Sequence, residues 1–201
     1  TLGQLLYFFP RRYEDRRHVI GSNTVEDGRK SLLEGCVRAT RLIRRRRGPS
    51  IFKVECEDQE GRFVATWFSG DYMKNVFREG SRAAFFGKVR RTASTVELIH
   101  PDYEVLSDQK PRRIHTGRIA PFYSLTQRLS QRNVRALQYD FLSGVLPQIN
   151  DPLSEEIRER RDLVNRKYAF KEIHFPGSLQ RLKRAYRRLV FEAFFVIQLA
   201  A

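Results

Sequence analysis

Apolar and polar positions divide this chain into a stretch with period two and a stretch with a period near that of a helix. Residues 1–31 open with Leu2, Leu5, Leu6, Phe8 and Phe9, a spacing that predicts a turn or two of amphipathic helix closed by Pro10. A charged run around Tyr13 and a turn-rich stretch over 21–30 follow. Within 32–106 the period becomes two. Phe52, Val54 and Cys56 alternate with Lys53, Glu55 and Glu57, and a turn at Gln59, Glu60 and Gly61 leads to a second inward row, Phe63, Ala65 and Trp67. A short helical segment over 71–77 ends near Gly80. Strand patterns resume over 82–90, with Gly87 read as a bulge, and over 95–100. Residues 107–129, with Pro111, Gly117 and Pro121, read as an extended connector. Helical periodicity fills 130–201. Val134, Leu137, Phe141 and Leu142 form one stripe, and a second helix opens at Pro152 with Glu155 and Glu156 where the helix dipole favours acids. A third, from about 178, sets Leu179, Leu182, Tyr186 and Leu189 against Arg181, Arg184, Arg187 and Arg188.

Three strands, a short helix and two strands within 32–106 fit the five-stranded Greek-key barrel of the OB-fold, whose face and loops bind oligonucleotides. The expected fold is therefore α+β: a barrel flanked by a short N-terminal helical segment and a C-terminal helical region. A half-open five-stranded sheet of another topology is the alternative.

Charge adds a partner to this picture. Lys and Arg exceed Asp and Glu by 38 to 23, a net +15, which makes nucleic acid or an anionic membrane the candidate partner. No apolar run is long enough to span a bilayer and no signal-peptide pattern opens the chain, so nucleic acid is expected and a membrane is not. Cys36 and Cys56 fall in strands; they could pair, but they read better as core thiols of a cytosolic protein. His18, His100, His115 and His174 are scattered without metal-ligand spacing, so no metal is expected. The first residue is Thr1, and the apolar segment 189–201 ends without a capping Gly or Pro, the pattern of a piece of a longer protein.

Catalytic patterns are missing from the sequence. It has no Gly-rich phosphate loop with Lys and Ser/Thr, no Gly-x-Ser-x-Gly elbow and no His-Glu-x-x-His, and its acids mostly neighbour arginines. Binding chemistry is better represented. Arg44, Arg45, Arg46 and Arg47 fall in the expected turn between the first two strands, where they could neutralise phosphates or simply be solvated. Lys88, Arg90 and Arg91 could extend the same groove. Strand parity turns Phe68 away from Trp67, and Tyr72 follows four residues on. Two displayed aromatics could stack on unpaired bases or wedge a base step open. Equally, Phe68 could cap the barrel while Tyr72 packs under the helix; periodicity does not choose.

Several blocks together resemble a known family. They are Leu5 to Arg16 at the start; Trp67, Phe68, Asp71 and Tyr72; and His100 to Val105. Pro121, Tyr123, Leu125, Thr126, Leu129 and Ser130 follow, then Ile173 to Pro176 with Arg188, Leu189, Phe191, Glu192, Phe194, Phe195, Gln198 and Leu199. In this order they cover nearly the whole chain, which is similar to the amino-terminal part of the RecG family of branched-DNA helicases. The resemblance implies that 32–106 is a wedge domain that splits the arms of stalled replication forks and Holliday junctions during recombination and repair. Phe68 and Tyr72 match the aromatics that stack where strands separate. It also implies that 130–201 leads into two motor domains of the same chain, which would hold the ATP and Mg; this portion itself would use no cofactor and catalyse nothing. A monomer in the cytoplasm, associated with the nucleoid, is the implied setting. The arginine run at 44–47 is denser than the family pattern requires, and 150–168 carries no transferable role. Two other readings stay open: a stand-alone OB-fold for single strands, and a protein-interaction module whose charge is incidental.

Overall fold

The computed structural model describes residues 2–106, 113–126 and 129–200. Pro111 of the expected connector lies outside them. The chain forms two compact units, one of residues 16–117 and one that joins residues 1–15 to 118–201.

The first unit is a barrel. In chain order the structure has helix α1 (Leu2–Leu6) and strands β1 (Arg12–Asp15), β2 (Lys30–Ile43), β3 (Ile51–Glu57), β4 (Arg62–Phe68), β5 (Arg82–Arg91), β6 (Val96–Ile99) and β7 (Asp102–Leu106). Strands β2 to β7 make one sheet in the order β2-β3-β4-β6-β5-β7, and β2 also pairs with β5. The long β2 thus meets β3 with one half and β5 with the other, wrapping the sheet around one core. Pairing of β4 with β6 is parallel and every other neighbour is antiparallel, the Greek-key arrangement of an OB-fold. The alternation of the sequence is what builds the interior. Phe52, Val54, Phe63, Ala65, Trp67 and Phe85 are all buried in it, while the alternate positions turn to the other face of the sheet. There Lys53, Glu55 and Val64 are half-buried and Phe68 is exposed, but Ala84 and Phe86 pack with Leu32 in a second small cluster.

Three details differ from the sequence reading. The register break lies in β2 between Val37 and Ala39. Gly87 instead pairs in register with Ser31; it is small because Pro101 crosses it, and a Cβ there would lie 3.1 Å from Pro101. The helical segment expected over 71–77 contracts to a 3-10 turn, Gly70–Met73, whose Met73 plugs the core. The sixth strand, β7, lines β5, and its buried Glu104 accepts hydrogen bonds from the amides of Ile114 (2.7 Å) and Thr116 (3.0 Å) and from Thr116 Oγ1 (2.7 Å). This clasps residues 114–116 against the strand.

In the second unit β1 pairs with β8 (Ile119–Phe122), Arg12 opposite Phe122 and Asp15 opposite Ile119. Helices α2 (Gln131–Val145), α3 (Glu155–Arg160), α4 (Arg166–His174) and α5 (Leu179–Ala200) follow. Ser130, Ser154 and Asn165 cap the first three through their side chains. The apolar stripes expected here are only partly core. Val134 and Leu142 are buried, but Leu137, Leu179 and Tyr186 are exposed, while Arg188, expected on a polar face, is buried, as are Arg135 and Gln138. These buried polar groups have specific partners. The Arg135 guanidinium lies over the Phe122 ring, 5.5 Å from its centroid. Gln138 donates to the Leu5 carbonyl at 3.1 Å, and Arg188 bonds Glu192 at 2.5 Å and Asp151 at 2.6 Å. No helix among the described residues is long and apolar enough to cross a membrane.

Candidate nucleic-acid interface

One end of the barrel gathers the display residues. Strands β4 and β6 run parallel and finish together, so Phe68 at the tip of β4 meets His100, just past β6. Strand β3 starts opposite Phe68, with Ile51 as its partner, so the β2–β3 loop carrying Arg44 to Arg47 emerges at the same end. All four arginines are exposed.

The segment from Phe68 to Met73 is held from both sides. The Ser69 amide donates to the Ser50 carbonyl at 2.7 Å, and Ser50 Oγ donates to Asp71. Arg44 Nε stands 3.8 Å from Asp71 Oδ1; both groups are largely exposed, so this pair contributes little to stability. Ser69 turns the chain through a left-handed conformation, φ 54°. Gly70 and Met73, three apart in the 3-10 turn, point into the barrel and leave Asp71 and Tyr72 outside. Tyr72 is 71% exposed and Phe68 40%, so neither is a core residue. Trp67 beside them is buried, packed among Phe52, Phe77, Phe85 and Tyr103.

Arg44 to Arg47, Phe68 and Tyr72 are therefore brought together, and Lys74 is exposed just beyond Tyr72. Lys88, Arg90 and Arg91 are placed differently. Arg90 and Arg91 pair with Glu97 and Val96, at the start of β6 and so at the opposite end of that strand from His100. The Arg91 guanidinium donates to the carbonyls of Asn23 (2.5 Å) and Val25 (2.9 Å), which makes it a tether for the preceding loop. Lys88 is exposed on the outer face of β5, opposite Lys30.

His100 is the member of this constellation that sequence reasoning did not nominate. Its ring lies 5.5 Å from that of Phe68, and its Nε2 accepts a hydrogen bond from the Phe68 amide at 3.3 Å. The one available signal was its place in the family-like block 100–105. Among the described residues no group of His, Cys, Asp and Glu is arranged to hold a metal ion. Cys36 and Cys56 are free thiols; burial, with Cys36 nearby, pushes the Cys56 thiol up to about 12, so it behaves as an inert core group.

Comparison with known proteins gives the chain a family. The RecG wedge domain family model matches residues 1–145. The ATP-dependent DNA helicase RecG of Thermotoga maritima is 30% identical over 202 residues, covering 100% of this chain and 25% of that protein. The Synechocystis protein of the same name is 28% identical, covering 99% of this chain and 26% of its own length. A solved structure of RecG bound to a three-way DNA junction superposes with a TM-score of 0.81 at 29% identity, covering 100% of this chain and 27% of that one. The chain thus spans about a quarter of the length of the relatives it matches.

Proposed function

Since the chain belongs to the RecG wedge-domain family, we propose that it is the DNA-binding wedge of an ATP-dependent helicase that unwinds and remodels branched DNA, such as stalled forks and Holliday junctions, in recombination and repair. The observation that carries this reading is the display of Phe68 and Tyr72 at one end of the barrel, beside the arginine loop. The rings meet the bases where two arms diverge. Unstacking a base step costs a few kcal/mol, and stacking on an aromatic returns roughly 1–3 kcal/mol per base. Arg44 to Arg47 hold phosphates without choosing sequence. Lys88 and Arg90 serve DNA that passes down the side of the barrel.

ATP and Mg belong, on this reading, to motor domains of the same longer chain, because this sequence lacks the Gly-rich phosphate loop that binds a nucleotide. The setting is the cytoplasm, at the nucleoid, and the protein works there as a monomer. The test is competition binding between a three-way junction and a single strand of equal length. The junction should win, and should lose its advantage when Phe68 and Tyr72 become Ala. Preference for the single strand would instead support a stand-alone OB-fold module. Weak binding insensitive to salt would support a protein-interaction module.

A further inference from the structure

The end of the β4–β6 ladder is built in an unusual way. The His100 amide donates to the Thr66 carbonyl at 2.8 Å, and Thr66 pairs with Ile99. Continued in this register, a parallel ladder would next bond the Phe68 amide to the His100 carbonyl. The chain does not continue. His100 adopts φ 48°, which turns the main chain away toward Pro101, packed against Gly87 on β5. The imidazole takes the vacated place, and Nε2 accepts from the Phe68 amide.

That amide has no alternative partner on its other side. The Ser69 amide already donates to Ser50, so the Phe68–Ile51 pair is the non-bonded kind and the Phe68 N–H faces away from β3. The same imidazole also supports the aromatic ring, 5.5 Å between centroids and 54° between planes. Both the backbone and the ring of Phe68 thus rest on one side chain, itself fixed by Thr66 behind it and by the buried Pro101 after it.

We propose that His100 is a positioning residue of the wedge: its imidazole holds Phe68, through amide and ring together, in the outward pose from which Phe68 meets an unpaired base. This rests on the wedge reading above. Without His100 the tip of β4 has an unanswered amide and an unsupported ring, and Phe68 can swing back across the barrel end.

The test uses the full 201-residue chain and two substitutions. His100→Asn tolerates the left-handed backbone but is too short to reach the Phe68 amide. His100→Gln places an acceptor at about the reach of Nε2. The readouts are the ratio of duplex to three-way-junction dissociation constants and the fluorescence of 2-aminopurine at the branch point. His100→Asn should reduce junction preference by roughly three- to tenfold, the worth of one hydrogen bond, and quench the branch-point signal, with duplex affinity unchanged. His100→Gln should recover most of the loss. Combining His100→Asn with Phe68→Ala should cost no more than Phe68→Ala alone, because both act through one ring. Additive losses would overturn the inference by making His100 an independent DNA contact. Wild-type behaviour of His100→Asn, with Phe68→Ala impaired, would overturn it while leaving the wedge reading intact. If Phe68→Ala is itself silent, the wedge reading fails and takes this inference with it.

Discussion

Gly70 packs against Phe52 so closely that a Cβ on the glycine would lie 2.6 Å from the Phe52 Cβ. This close approach is what lets the chain lie flat across the barrel end and present Tyr72. Gly70→Ala must push the 3-10 turn outward, with an expected cost of about 1–3 kcal/mol by chemical denaturation. It should also weaken junction binding, although the glycine displays no side chain to DNA. A fully stable variant with normal junction affinity would show that the turn does not set the pose of Tyr72.

Phe68 and Tyr72 separate binding from stability. Changing either to Ala should lower junction affinity by roughly tenfold, within the range expected for a stacked base. The folding free energy should move by no more than about 0.5 kcal/mol, because both rings face solvent. Trp67→Ala, one residue away but buried, should do the reverse and cost about 3–5 kcal/mol. Fluorescence anisotropy with a three-way junction, paired with urea titrations, checks both arms.

Replacing Arg44 to Arg47 with Ser should weaken junction, duplex and single strand alike. The slope of log affinity against log salt on duplex should become shallower by about 0.9 for each phosphate that is no longer neutralised. A slope identical to that of the parent would mean these arginines are merely solvated.

His174 predicts an acid sensitivity of the helical unit. Burial lowers its pKa to about 4, although its Nε2 donates to the Leu6 carbonyl at 2.9 Å and Nδ1 lies 3.1 Å from the Tyr123 hydroxyl. Unfolded, the ring has an ordinary pKa near 6.5. Between those values the unfolded state takes up a proton that the folded state refuses. The stability contribution is therefore full above about pH 6.5 and falls with pH, by about 1.4 kcal/mol per unit, until roughly pH 4. Urea titrations at pH 7 and pH 5 should reveal the drop, and His174→Gln should remove this part of it.

Arg188 joins two carboxylates in one buried network. It bonds Glu192 and Asp151, and Arg166 reaches Glu192 at 2.8 Å. Burial alone would raise the Asp151 carboxyl, but the amides of Arg166 and Leu153 and the Arg188 guanidinium hold it below its usual value. Arg188→Ala leaves Glu192 with Arg166 alone and takes away the guanidinium at 2.6 Å from Asp151, and should destabilise the helical unit by about 3–5 kcal/mol. Arg184→Ala, exposed on the same helix, should change stability by less than about 0.5 kcal/mol.

The barrel was legible because a closed sheet imposes a strict two-residue alternation, and Phe63, Ala65 and Trp67 obey it. The same parity turns Phe68 outward. What stayed hidden depends on partners distant in sequence. The β1–β8 ribbon joins a charged RYED to a proline-bearing IAPF, neither of which has alternation to read. Arg188 looked like a solvated face because burial of a guanidinium depends on Asp151, far along the chain. Tyr186 looked apolar by spacing yet faces water. The placement of His100 was nearly as hidden: it lay in the family-like block 100–105, but no local pattern shows that its ring accepts from the Phe68 amide at the end of β4.

Asp15 and Ile119 are direct partners on adjacent strands, about 5 Å apart at the backbone, and everything between them in sequence is the barrel with its connections. The helical unit is thus a frame, and the barrel is a cartridge wired into it by two neighbouring leads of chain. A short glycine bridge from Asp15 to Ile119 can close the frame with the cartridge removed, and another small barrel with neighbouring termini can be spliced into its place.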